Sequence, residues 1–252
     1  MAQLRQIVNY CNQLLRIQDF RDYCPNGLQV EGKKEVKKII SGVTACQDLI
    51  EQAVDHGADA ILVHHGYFWK GEDASIVGPK KNRIAALLKN NISLLAYHLP
   101  LDAHPDYGNN VALARQLGFS VKGCVEEGAT RGLLWYGELE EQSADQLVES
   151  LTEKLQRIPL HLASASQQPI RSIGWCTGGA QGYIEQAAEL GLDAYLSGEV
   201  SEQTFHLARE LDIHYFAAGH HATESYGVQA LGAHLAGYFE LEHQFIDVFN
   251  PI

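Results

Sequence analysis

The chain has 252 residues, of which 46% are hydrophobic and 20% are charged, as is typical of a globular protein with one large domain or two lobes. Its formal net charge of −12 argues against an extended nucleic-acid surface or an anionic-membrane surface, because phosphate binding needs clustered lysine and arginine. One nucleotide in a local pocket remains compatible with that charge. The N-terminal sequence lacks the apolar core of a signal peptide and no run reaches transmembrane length, so we expect a cytoplasmic protein.

The cysteines are odd in number and form no CxxC motif. This pattern predicts reduced thiols that mostly pack in the interior, and it argues against a disulfide framework or a thiolate zinc site. The twelve histidines are therefore the more informative residues. The five cysteines are Cys11, Cys24, Cys46, Cys124 and Cys176.

The first part of the chain reads as alternating helices and strands. An apolar stripe at helical spacing runs through residues 1–17, and CPNGLQVEG (24–32) is a turn followed by a short apolar run. Residues 36–43 predict a strand, and Gln47–His56 predicts a helix that Gly57 ends.

The next stretch, ADAILVHHG, is the centre of the predicted sheet. A short apolar run is followed directly by His64 and His65 and ends at Gly66, which is typical of a buried strand in an α/β sheet. Ligands gather beyond the carboxyl ends of such strands, so two adjacent imidazoles there are a candidate metal site. The alternative is one core histidine beside one exposed histidine.

Aromatic and basic side chains follow the two histidines. Tyr67, Phe68 and Trp69 either stack on a planar substrate as part of a lid or pack beneath their own loop, as loop aromatics mostly do. A second cluster opens the following helix, where the helix dipole disfavours cations, so it either binds a phosphate or forms a solvated basic end. This cluster consists of Lys80, Lys81 and Arg83.

Further elements complete the pattern. The chain predicts a strand at Ile92–His98, a helix at Asn110–Leu117 with Asn109 or Asn110 as its cap, and two strands around a turn within 119–139. Ser143 to Gln146 forms a capping-box pattern, which predicts a helix that runs to about Ile158.

The second half of the chain repeats the first. IEQAVDHGADAILVHHG (50–66) aligns with IEQAAELGLDAYLSGEV (184–200) at a constant offset of 134 residues. Both stretches follow a predicted strand, and NISLLAYH (91–98) matches DIHYFAAG (212–219) in pattern. Each half thus offers strand–helix–strand–helix–strand, so we predict an α/β protein of two similar lobes.

Metal-ligating or proton-carrying side chains stand at the four equivalent strand ends: His64 and His65, His98 with Asp102, Glu199, and His220 and His221 with Glu224. His220 and Glu224 are four residues apart at the start of a helix and so point from one face. A mononuclear catalytic site typically uses three protein ligands, so this inventory suits two ions bridged by carboxylates. Imidazole and carboxylate favour Zn, Mn, Fe, Co or Ni over Ca or Mg.

Five motifs carry a resemblance to a known family. NGLQVEG, ADAILVHHG, YHLPLDAH, SGEVSEQ and GHHATE occur in this order over nearly the whole chain, which resembles the NIF-three-like family of GTP cyclohydrolase 1 type 2 homologues. The resemblance implies two interlocked α/β lobes, a dinuclear metal site in the cleft between them, and a toroidal homohexamer. We place the first lobe at 1–124 with a tail of about 235–252, and the second at 125–234.

The resemblance also implies the metal ligands by position: His64, His65, Asp102, His220 and Glu224. Asp102 and Glu224 would bridge the two ions, because a carboxylate can span them. Four further residues are candidates for orienting these ligands or transferring protons: His98, His221, Thr223 and Glu199. Of these, His98 is the candidate catalytic residue.

Two classes of function stay open from the sequence. A hydrolase would use two divalent ions to make hydroxide from water and attack a nucleotide-like substrate, and for GTP the resemblance implies attack at C8 of guanine and loss of formate. The alternative is a non-catalytic regulatory or protein-interaction protein whose metals are structural. Five ligands shared by two ions leave coordination positions open, which favours the hydrolase.

Overall fold

The computed structural model describes residues 1–128 and 130–252. The chain divides into two compact units: a first unit of Met1–Leu101 with Gly227–Phe249, and a second unit of Asp102–Tyr226 with Asn250–Ile252. Within the described residues, no helix is both long enough and apolar enough to cross a membrane.

The elements alternate along the chain. In chain order the strands are β1 (Ala2–Gln3), β2 (Gly27–Val30), β3 (Glu35–Val36), β4 (Lys38–Thr44), β5 (Ala60–His65), β6 (Ser93–Ala96), β7 (Ser120–Cys124), β8 (Trp135–Gln142), β9 (Leu160–Leu162), β10 (Ile170–Cys176), β11 (Ala194–Ser197), β12 (His214–Ala217) and β13 (Glu242–Phe245). The α-helices are α1 (Leu4–Leu14), α2 (Gln47–Asp55), α3 (Gly78–Lys89), α4 (Leu99–Ala103), α5 (Asn109–Leu117), α6 (Ala144–Leu155), α7 (Ile184–Glu189), α8 (Glu202–Glu210) and α9 (His220–Phe239).

The first unit is built on a five-stranded sheet in the order β13-β4-β5-β6-β2, in which only β2 is antiparallel to its neighbour. Successive residues of β5 enter opposite cores, since side chains alternate across a strand. Ile61 and Val63 join the core that includes α2 and α3, whereas Ala60 and Leu62 join the core that includes α1 and α9. This double burial explains why the strand reads as a continuous apolar run.

The second unit is built on a six-stranded sheet in the order β7-β8-β10-β11-β12-β9. Its strands β10, β11 and β12 run parallel, their neighbours β8 and β9 are antiparallel to them, and the edge strand β7 is antiparallel to β8. Apolar residues of α5 and α6 pack with Trp175 and Leu196 in one core. The α/β class predicted from the sequence is therefore confirmed.

The repeat at offset 134 extends to a hydrogen-bond pattern. Asp59 accepts hydrogen bonds from the backbone N–H groups of Lys37 and Lys38, at 2.8 and 3.2 Å. Asp193, which lies 134 residues later, accepts from the N–H groups of Arg171 and Ser172, both at 2.9 Å. Each aspartate thus joins the start of one parallel strand to the backbone just before or within the neighbouring strand.

Local boundaries differ from the prediction in two helices. Helix α5 begins at Asn109 after Gly108 as its cap, because the side chains of Asn109 and Asn110 are buried and bonded elsewhere. Helix α6 ends at Leu155 and not near Ile158, because Gln156 adopts the left-handed conformation. The predicted capping box at Ser143 is confirmed, with its hydroxyl accepting from the backbone N–H of Gln146.

The compact units also divide the chain differently from the predicted lobes. Residues 102–124 belong to the second unit, because β7 pairs with β8 and α5 contributes to the core of that unit. The two strands predicted within 119–139 are β7 and β8, and the turn predicted between them includes Ala129, which lies outside the described residues. All five cysteines are free thiols, as predicted.

Candidate metal centre

Two adjacent histidines end strand β5 in the first unit. His64 is buried and its Nδ1 donates a hydrogen bond to the backbone oxygen of Tyr97, at 2.9 Å. His65 is partly exposed, and its Nδ1 lies 3.3 Å from the hydroxyl of Thr44. Because a carbonyl can only accept, the Nδ1 of His64 carries the proton and its Nε2 is the nitrogen suited to a metal.

A third imidazole lies beside these two. His98 follows β6, and its ring centroid is 5.0 Å from that of His64 and 5.8 Å from that of His65. Each of the three residues offers one ring nitrogen, and these nitrogens all lie within 4.8 Å of one another. Three imidazoles at this spacing form a donor set that suits a borderline divalent ion such as Zn.

Asp22 anchors His98. Its Oδ1 lies 2.6 Å from His98 Nδ1, and its Oδ2 accepts from the Asn26 side chain at 2.8 Å and from the Leu99 backbone N–H at 3.0 Å. Burial alone would raise the pKa of the Asp22 carboxyl, but these hydrogen bonds, led by that of His98, hold it below its usual value. Asp22 is thus an ionised, buried partner of His98.

The second unit carries a buried carboxylate on α4. Asp102 accepts hydrogen bonds at Oδ1 from the side-chain amide of Asn109, at 2.8 Å, and from the hydroxyl of Thr177, at 3.2 Å. Asn110 bonds the backbone oxygen of Asp102 and also accepts from the backbone N–H of Thr177. Asp102 is therefore held in one orientation by two polar segments of its own unit.

The first turn of α9 supplies a histidine and a carboxylate. His220 Nε2 lies 3.1 Å from Glu224 Oε2, as their spacing of four residues predicts. His220 Nδ1 lies 2.7 Å from Glu199 Oε1, which fixes the ring from the other side. Burial alone would lower the pKa of His220, but the carboxylates of Glu224 and Glu199 raise it to about 9.

A glycine makes room for this pair. Gly178 follows β10 with a φ of +68°, and a Cβ at this position would collide with Glu224 Oε1 and lie 3.1 Å from His220 Nε2. Its backbone N–H donates to the hydroxyl of Thr223, which in turn donates to the backbone oxygen of Gly219. Thr223 therefore holds the turn at Gly178 in place next to Glu224.

Four histidines share one arrangement: their Nδ1 atoms are engaged by fixed oxygen atoms of the same unit. This is the pattern of metal-ligating histidines, whose second ring nitrogen bonds a carboxylate, carbonyl or hydroxyl. The donor set of imidazoles and carboxylates fits divalent transition ions. The four are His64, His65, His98 and His220.

The aromatic loop divides into two roles. Tyr67 is buried and its hydroxyl donates to the backbone oxygen of Ala45, so this residue packs beneath the loop. Trp69 is partly exposed, and its ring centroid lies 5.0 Å from that of His98 at a nearly perpendicular angle. Trp69 therefore lies beside the histidine cluster, while Lys80 lies above the ring of Phe68, with its Nζ 5.1 Å from the ring centroid.

One lysine of the basic cluster bonds to residues of the preceding loop. Lys80 Nζ lies 3.2 Å from Glu72 and donates to the backbone oxygen of Asp73. This ion pair connects the start of α3 to the loop. The carboxylate of Glu72 also neutralises the positive charge of Lys80, which is then less available to bind a phosphate. Lys81 is exposed and Arg83 is partly buried.

Sequence reasoning missed several residues that hold the candidate ligands in place. Asn109 was predicted as a helix cap, and Asn26 reads as plain turn chemistry, although each uses its side chain to fix a site residue. Asp22, Thr177 and Gly178 carry no motif signal. They belong to segments that only folding brings next to their partners.

Comparison with known proteins identifies the family. The family model Duf34/NIF3 (NGG1p interacting factor 3) matches residues 2–251. The chain belongs to the Duf34/NIF3 family. A Pseudomonas aeruginosa relative is 58% identical over 250 residues, covering 98% of both chains, and an Escherichia coli K12 relative is 48% identical over 251 residues, covering 99% of this chain and 98% of that one. Both Duf34/NIF3 relatives bear the name GTP cyclohydrolase 1 type 2 homolog.

Solved structures of this family have the same fold. The structure titled protein ybgI, of unknown function, is 46% identical with a TM-score of 0.95, and it and this chain cover each other fully. A protein from Thermus thermophilus is 33% identical with a TM-score of 0.91, again over the full length of both chains. The resemblance drawn from the five sequence motifs is therefore confirmed.

Proposed function

We propose that this Duf34/NIF3 protein is a dinuclear metal-dependent hydrolase that acts on a small, nucleotide-like substrate. The observation that carries the proposal is the arrangement of histidines whose Nδ1 atoms are engaged by oxygen atoms of their own unit, which is the pattern of metal-ligating histidines. We propose five ligands for the two ions: His64, His65, Asp102, His220 and Glu224.

Five protein ligands shared by two ions would leave coordination positions for water and substrate, as catalytic sites require. When bound, two divalent ions would lower the pKa of a coordinated water towards neutrality and polarise the bond under attack. The chain's own contribution is to orient the ligands, through Asn109 and Thr177 at Asp102 and through Glu199 at His220. His98 is proposed as the proton carrier beside the cluster.

The substrate class rests on two supports. The relatives' name points to GTP, whose ring opening would release formate. Trp69 offers a partly exposed aromatic ring next to His98 on which a planar base could stack. Lys81 is the exposed cation of the basic cluster and is the candidate phosphate contact.

The alternative is a non-catalytic regulatory or protein-interaction role. The family's name, NGG1p interacting factor 3, favours it, because it describes an interaction and not a reaction. In that case the ions would hold the ligands in place and no substrate would be turned over. The toroidal homohexamer and the cytoplasmic location stay predictions, which light scattering and cell fractionation would test.

The test combines metal content with product release. Purified protein is loaded separately with Zn, Mn, Fe, Co and Ni, and formate and nucleotide products are measured with GTP. The variants His64→Ala and Glu224→Ala are compared with His56→Ala, an exposed histidine on the carboxyl-terminal end of α2. We expect the first two variants to lose bound metal and turnover together, while the control retains both.

Two results would decide against the hydrolase. If metal-depleted His64→Ala protein still turned over substrate, the reaction would not depend on the metals. Protein that holds two ions, shown by elemental analysis, yet releases no product from GTP or from other nucleotides and amides, would leave the binding role.

A further inference from the structure

A closed hydrogen-bond network fixes His98 from two sides. Its backbone N–H donates to Asn26 Oδ1 at 2.8 Å, and its ring Nδ1 lies 2.6 Å from Asp22 Oδ1. Asn26 in turn donates from Nδ2 to Asp22 Oδ2 at 2.8 Å, and the backbone N–H of Leu99 reaches the same oxygen at 3.0 Å. The position and the ring rotation of His98 are both set by this network.

The donors around Asp22 determine where the imidazole proton lies. The backbone N–H of Tyr23 reaches Oδ1 at 2.6 Å, so Asp22 has three partners besides His98, each of which can only donate to it. The orientation of the Asn26 amide is fixed because its oxygen accepts from the His98 backbone. A carboxylate that accepts from three donors also accepts from the fourth partner, so His98 Nδ1 carries the hydrogen.

The second ring nitrogen of His98, Nε2, is the one that can accept a proton. Within the described residues, Nδ1 is the ring nitrogen of His98 for which a hydrogen bond is seen, and the side chain is 15% exposed. The ring centroid lies 6.4 Å from that of Tyr23 and 5.0 Å from that of Trp69, and the ring also neighbours those of His64 and His65. This fixed tautomer leaves a lone pair on Nε2 next to the candidate metal centre.

We propose that Asp22 is a positioning residue that holds His98 in the tautomer protonated at Nδ1, so that Nε2 accepts a proton during the reaction. The catalytic part of this inference rests on the proposed hydrolase. There, Nε2 takes the proton of the attacking water, Asp22 stabilises the resulting imidazolium, and the same proton then passes to the leaving group. The imidazole is thereby returned to its starting state.

An Asp22→Asn substitution reverses the tautomer for a geometric reason. The Oδ2 side faces two fixed donors, Asn26 Nδ2 and the Leu99 N–H, whereas the Oδ1 side faces one, the Tyr23 N–H, so the amide oxygen is favoured on the Oδ2 side. The amide NH₂ then takes the Oδ1 side and donates to His98 Nδ1, which becomes an acceptor. His98 would thus carry its proton on Nε2 and lose the lone pair that the reaction needs.

The test reads the tautomer directly in metal-free protein. Long-range ¹H–¹⁵N spectra of ¹⁵N-histidine-labelled protein are recorded for the wild type, Asp22→Asn and Asp59→Asn, with His98→Gln assigning the ring signals. Asp59 is a matched control because it is another carboxylate of the first unit that accepts two backbone N–H groups. We expect Nδ1–H in the wild type and in Asp59→Asn, and Nε2–H in Asp22→Asn.

Two further arms separate a proton carrier from a metal ligand. His98→Gln is expected to keep the metal content of the wild type, and Asp22→Asn is expected to lower kcat on the order of 10²–10⁴-fold with little change in KM. A wild-type ring protonated at Nε2, or an unchanged tautomer in Asp22→Asn, would overturn the positioning role. Loss of metal from His98→Gln would overturn the proton-carrier role. Since the tautomer is read without metal or substrate, it decides on Asp22 even if the hydrolase proposal fails.

Discussion

Replacing Gly178 by alanine is expected to damage the His220–Glu224 pair more than it damages the fold. A Cβ at this position would collide with Glu224 Oε1, lie 3.0 Å from its Cδ and lie 3.1 Å from His220 Nε2. Real Cβ atoms essentially never approach a neighbour as closely as that oxygen, so the carboxylate must move away. Gly191 is the matched control, since it lies in the same unit with a φ of +71° and a Cβ there would meet nothing within 4 Å.

The two variants share one cost and differ in another. A non-glycine residue in the left-handed region costs about 1–2 kcal/mol, which both Gly178→Ala and Gly191→Ala incur. Overpacking adds about 1–3 kcal/mol in Gly178→Ala alone. Because Glu224 is a proposed ligand, we expect metal affinity to fall about 100-fold or more in Gly178→Ala, which corresponds to about 2.8 kcal/mol, and to stay unchanged in Gly191→Ala.

Urea unfolding of metal-free protein and metal titration against a competing chelator measure the two quantities separately. The reasoning is refuted if Gly178→Ala and Gly191→Ala lose equal unfolding free energy and bind metal with equal affinity. Equal metal affinity alone would show that displacing the Glu224 carboxylate does not weaken metal binding, and it would remove Glu224 from the ligand set.

Further predictions concern the support of the site and the stability of the second unit. Asn109→Ala removes a donor from Asp102, so chelator competition is expected to show a loss of metal affinity of about 10–100-fold, and an unchanged value would mean that this amide does not orient the ligand. Burial, and next the neighbouring His214, lower the pKa of His161 below 6.5, so the folded state binds fewer protons than the unfolded state just below that pH. The contribution of His161 to the unfolding free energy should therefore be fully present above pH 6.5 and be lost as the pH drops below 6.5. In urea titrations at about pH 7.5 and 5.5, His161→Gln should reduce the difference in unfolding free energy between the two pH values. Trp69→Ala should raise KM for a nucleotide substrate while the metal content stays constant, and an unchanged KM would argue that the base stacks elsewhere.

The sequence by itself determined the sheet framework and the candidate ligands. Apolar runs bounded by glycine predicted β5, and the offset of 134 residues predicted a second α/β segment that the structure contains, down to the paired roles of Asp59 and Asp193. These features are local or periodic, so they can be read along the chain. The ligand types at the strand ends followed from the same rule, since parallel strands bring their carboxyl ends to one edge of a sheet.

Only the tertiary structure decided how the candidate residues are held. Asp22 and His98 are separated by 76 residues, and Asp102 and Thr177 by 75, yet each pair is hydrogen-bonded. A side chain that orients a ligand from a distant segment needs no particular spacing and leaves no periodic signal, which is why Asn109 resembled a helix cap. Buried polar groups must be paired wherever folding brings them together, and their partners become visible only once the chain is folded.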